Sequence, residues 1–130
     1  MTLAIAATFD QLDLLSNLNA LSEDELDQLD FGVIGFDASG VVRRYNTYES
    51  AAAGLSPSRV LGHSLFTAVA PCMNNYLVAQ RFEDAAATGD ALDDTIDYVL
   101  TLRMRPVRVR LRLLAAAGEA YQYVLVHRAS

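Results

Sequence analysis

Apolar positions near the start of the chain recur every third residue. Phe9, Leu12, Leu15, Leu18 and Leu21 fall on one stripe, which predicts helix within residues 8–30. Thr8 is the expected N-cap. Ser22 followed by Glu25 has the form of a capping box, so a second short helix is expected there, with Leu26 and Leu29 on its buried side. Two helices this short cannot bury a core alone, so the segment is expected to lie as a cap on something else.

The period then changes to that of strands. Phe31-Gly-Val-Ile-Gly-Phe36 is a short apolar run suited to a central strand. Asp37-Ala-Ser-Gly40 has turn chemistry, and Val41–Tyr45 predicts the returning strand of a hairpin. Residues 46–70 are rich in small side chains and lack alternation, which predicts short helical turns, one of them starting at Ser56-Pro57. Residues 75–88 predict the longest helix, with Tyr76, Ala79, Phe82 and Ala86 inward and Gly89 as its stop. Thr95–Leu102 is a candidate strand. In Val107–Leu113 the apolar residues Val107, Val109, Leu111 and Leu113 alternate with Arg108, Arg110 and Arg112, whose face is expected to be solvated. Ala117-Gly118-Glu119 is a turn, and Tyr121–Val126 a last strand. The order predicts an α+β fold of PAS-like arrangement, an antiparallel five-stranded sheet with short helices, one longer helix and an N-terminal helical cap. The organisation expected is one domain, with 1–25 as cap and 26–130 as core.

Composition bounds the function. The chain has 130 residues, 52% apolar and 20% charged, which describes one globular domain. Net charge is −6, with seven acids and no base in residues 1–30 and no lysine anywhere, which argues against general nucleic-acid binding. No apolar run is long enough to cross a bilayer, and the acidic start is unlike a signal peptide, so a cytoplasmic location is expected. The single cysteine, Cys72, can form neither an internal disulfide nor a cysteine metal site alone. A lone cysteine is ordinarily a small buried hydrophobe. His63 and His127 are too few for a metal site and lack a third residue for Cys–His catalysis.

Two longer stretches carry a resemblance. Phe31–Asn46, with Glu49 three residues on, and Val60-Leu-Gly-His-Ser-Leu-Phe-Thr-Ala-Val-Ala-Pro-Cys72 resemble the photoactive yellow protein family, and Phe82, Gly89, Asp97-Tyr98, Met104-Arg-Pro106 and Tyr123–Arg128 continue the likeness. The resemblance covers most of residues 26–128. It implies a bacterial blue-light photoreceptor, not an enzyme, with p-coumaric acid (4-hydroxycinnamic acid) held as a thioester on Cys72. It further implies that Tyr45 and a protonated, buried Glu49 hydrogen-bond the phenolate. Ile34, Ala53, Leu55, Val69, Ala70, Leu100 and Met104 fall at pocket-lining positions. The chain departs from the family pattern at Ala53, where a threonine is usual, at Leu55, where an arginine is usual, and at Met73, which replaces a threonine.

On their own, these residues leave room for other readings. Tyr45 ends a strand, where tyrosine commonly serves packing, and Glu49 is as easily a surface acid. Should its segment face inward, burial would raise its pKa and let it donate a hydrogen bond. Isomerisation would then leave an unpaired carboxylate in a poorly solvated place and release the cap. The alternative is a PAS sensory or protein-interaction domain that binds another small ligand or none. The partner expected is a downstream signalling protein of unknown identity, with neither nucleic acid nor membrane, and a homodimer is compatible with either reading.

Overall fold

The predicted hairpin forms. In the computed structural model, which describes residues 7–101 and 106–128, β1 (Gly32–Phe36) turns at Gly40, with φ at 82°, into β2 (Val42–Tyr45). The remaining strands are β3 (Leu92–Leu100), β4 (Val107–Ala115) and β5 (Gln122–Arg128). All pairings are antiparallel, in the order β2-β1-β5-β4-β3, so the last strand of the chain inserts beside the first.

Every residue of β1 is buried, because the sheet is covered on both faces. On one face Ile34, Phe36, Val42, Tyr45, Leu111, Leu113, Val124 and Val126 pack with residues of the intervening segment, among them Leu65, Met73 and Phe82. Phe36, Phe66 and Phe82 meet there as edge-on and tilted rings. On the other face Val33, Leu114, Tyr123 and Leu125 pack against Phe9, Leu14, Leu18, Leu26 and Leu29 of the N-terminal segment. Alternate residues of one strand thus serve two different cores.

The cap is shorter in helix than its spacing predicts. Helix α1 spans Leu14–Ala20 with Asp13, not Thr8, at its N-cap, and Leu12 is 84% exposed. Helix α2 (Glu23–Leu26) has both halves of the capping box, Ser22 accepting from the Glu25 amide and Glu25 from the Ser22 amide. The arginine face of β4 is exposed at Arg108 and Arg110, as expected, but not at Arg112. Arg112 is buried, donates to the carbonyls of Phe9 and Gln11, and pairs with Asp93. Arg110 lies over the Phe9 ring. From β2, buried Arg44 donates to the carbonyls of Leu18 and Leu21, to Tyr123 and to Glu23. Two guanidinium groups therefore tie the cap to the sheet by hydrogen bonds to its carbonyls.

Between β2 and β3 run α3 (Thr47–Ala53), α4 (Pro57–Val60), a π-helical turn at Leu65–Val69, a 3₁₀ turn at Pro71–Met73 and α5 (Ala79–Thr88). Helix α5 starts later than predicted, which leaves Tyr76 77% exposed, and Ala86 is also exposed. Gly89 ends it with φ at 75°. Strand β3 starts three residues earlier than Thr95, and Val107, expected inward, is exposed at the start of β4.

Candidate functional site

Asn46 builds the first wall of the site. Its side chain caps α3 by accepting from the Glu49 amide at 3.1 Å, and also accepts from Val33 on β1 at 2.9 Å. Its amide nitrogen donates to the carbonyls of Leu26 and Phe31. One buried side chain thus fixes the start of α3 against both β1 and the cap. Tyr45, just before it, and Glu49, one turn after it, are fixed with it.

A glutamate at the third helical position ordinarily reaches back to the cap residue. Here the Asn46 amide already donates to the Val33 carbonyl. Glu49 turns inward instead and is 1% exposed. Its two carboxylate oxygens accept from Arg128 on β5, at 2.7 Å and 3.1 Å, in a two-pronged pair. Glu49 is thus paired in this structure. Burial pushes its carboxyl above the usual range, and Arg128 pulls it part of the way back. Burial, then the neighbouring Glu49, push the Tyr45 hydroxyl well above its ordinary value, so Tyr45 stays protonated. The Tyr45 side chain is 7% exposed and packs in the core on the Ile34 face of the sheet.

The second wall carries the thiol. Cys72 sits in the 3₁₀ turn after Pro71, free and half-buried. Its carbonyl accepts from the Tyr98 hydroxyl of β3 at 2.5 Å and from the Asn75 side chain at 3.2 Å, and Asn75 also donates to Tyr98 at 2.6 Å. The turn is held by its backbone, which leaves the thiol uncommitted.

Ile34, Tyr45, Ala70 and Leu100 lie in one continuous core, with Leu55, Val69 and Cys72 packed at its edge. Glu49 and Ala53 are buried on α3 but are not part of that apolar cluster. Met104 lies outside the described residues. Met73 is wholly buried beside Cys72 and fills core space. Arg128 and Asn46 stand in stretches that carry the resemblance, yet spacing assigned neither a role, since Arg128 reaches Glu49 across 79 residues of chain. Among the described residues no group of His, Cys, Asp and Glu side chains could hold a metal ion, and no helix is long and apolar enough to cross a membrane.

A five-stranded antiparallel sheet in the order β2-β1-β5-β4-β3, with the helices between β2 and β3 packed over one face, has the architecture of a PAS domain. The family model described as PAS fold matches residues 26–128. Photoactive yellow protein of Halochromatium salexigens is 34% identical over 116 residues, covering 89% of this chain and 92% of that protein. That of Rhodothalassium salexigens is 31% identical over 121 residues, covering 92% and 95%. The photoactive yellow protein domain of the sensor histidine kinase Ppr from Rhodospirillum centenum matches with a TM-score of 0.79 at 37% identity, covering 87% of this chain and 98% of that one. The chain belongs to the photoactive yellow protein family of PAS domains.

Proposed function

We propose that this chain is a blue-light receptor carrying p-coumaric acid as a thioester on Cys72. The observation that carries the reading is the free Cys72 at the edge of the same core that holds Tyr45, with the buried Glu49 one turn beyond that tyrosine. The apolar side chains of Ile34, Ala70 and Leu100 suit a flat aromatic group. When bound, p-coumaric acid supplies visible absorption, an isomerisable double bond and a phenolic oxygen that can be anionic.

The chain's own residues do the rest. Cys72 supplies the thiol, as thiolate, that forms the thioester. Tyr45 donates to the phenolic oxygen and remains protonated, given the direction of its shift. Glu49 holds the transferable proton, because burial favours its neutral form and a nearby phenolate adds like charge. The cap is the element proposed to loosen, and a signalling partner would read the surface so exposed.

The test is reconstitution with activated p-coumaric acid. The reading predicts a yellow protein that bleaches reversibly in blue light, with loss of a protonated-carboxyl infrared band that is missing in Glu49→Gln. A colourless product, or an unchanged band in Glu49→Gln, would refute the chromophore or the donor respectively.

A further inference from the structure

The Glu49–Arg128 pair has no part in a scheme that uses only a neutral Glu49. Its geometry is specific: two nitrogens of one guanidinium meet two oxygens of one carboxylate at 2.7 Å and 3.1 Å. The Glu49 side chain is 1% exposed and that of Arg128 15%. A fork of this kind fits a carboxylate, which accepts at both oxygens. Space for it is made on β1, where a Cβ on Gly32 would come within 2.0 Å of Glu49 Oε1. The other titratable groups acting on the pair among the described residues are Tyr45 and Tyr48.

Resting on the photoreceptor reading, we propose that Arg128 is a positioning residue that holds the Glu49 carboxylate whenever it is ionised, and so sets how readily Glu49 gives up its proton. In the structure the pair is closed. With an anionic phenolate beside it, Glu49 takes a proton, because two adjacent anions cannot both persist. On proton transfer the O–H bond of Glu49 breaks and one forms at the phenolic oxygen, and the negative charge moves to Glu49. Arg128 then receives that charge at contact distance, so the carboxylate is not left unpaired. Lysine, a point charge without the fork, would serve less well.

The first measurement needs no chromophore. In the chromophore-free chain, the Glu49 carboxyl is titrated by carbon NMR, its signal assigned by its loss in Glu49→Gln. Arg128→Gln should raise the midpoint by about one to three pH units, and Arg128→Lys by less. Coincident curves for wild type and Arg128→Gln would overturn the proposal. Should Arg128→Gln fail to fold, Arg128→Lys decides alone, and an unshifted curve overturns it. The second measurement uses the loaded protein. After a flash, Arg128→Gln should reduce the ionised Glu49 population about tenfold for each pH unit of that shift, with Arg128→Lys partly restoring it. An equal population in Arg128→Gln and wild type would also overturn the proposal. A chain that shows the titration shift but never turns yellow would refute the chromophore reading while leaving the charge-holding role of Arg128 standing.

Discussion

Gly32 is glycine because the Glu49 carboxyl occupies the space its side chain would need. Gly32→Ala should therefore displace Glu49 or the strand, costing about 1–3 kcal/mol by overpacking. Denaturant unfolding measures it, and unchanged stability would mean that the carboxyl moves aside freely. Protonation of Glu49 also makes stability depend on pH. Its folded pKa lies above the unfolded value of 4.5, so its contribution is fully present below 4.5 and fades as pH rises through the folded value. Removing Arg128 raises that folded value further. Melting temperatures taken at acidic and neutral pH should therefore fall more with rising pH in Arg128→Gln than in wild type. Cys72, Tyr45 and Glu49 could be nominated from the sequence because they lie inside continuous stretches that resemble a known family. Arg128 as the partner of Glu49 was not, because strand insertion, and no local spacing, joins them.

Elements were legible where local chemistry decides them. The capping box at Ser22 and Glu25, the turn at Gly40 and the stop at Gly89 are all present. Starting points were less so: Leu12 and Tyr76 fit a helical stripe but precede their helices and face water. The β4 arginines alternate as a wet face would, yet Arg112 is buried because the cap covers that side and its carbonyls need donors. Arg44 does the same for the last turn of α1. Arg44→Ala should lose about 1.5–3 kcal/mol, the worth of a hydrogen bond from a charged donor. Glu23→Gln, on the exposed side of the same contact, should lose under about 1 kcal/mol. Paired unfolding curves check this, and equal losses would shift the weight from the carbonyls to the ion pair.

At the scale of the whole molecule, one sheet separates the proposed chemistry from the proposed output. Strand β5 borders both: Val124 and Val126 enter the core that Cys72 edges, Tyr123 and Leu125 lie under the cap, and Arg128 meets Glu49. His127 on the same strand lies against Phe9 of the cap, with ring centroids 5.2 Å apart. Illumination of the loaded protein should accelerate amide exchange in residues 7–26 more than in β1 or β4. Hydrogen-exchange mass spectrometry checks it, and equal protection in light and dark would uncouple the cap from the site.

Attachment at the thiol underlies all of these expectations, and intact-mass analysis tests it most directly. Wild-type protein treated with activated p-coumaric acid should gain one p-coumaroyl group, and Cys72→Ala, folded and treated alike, should gain none. The same mass gain in Cys72→Ala, or no gain in the wild type, would contradict the assignment.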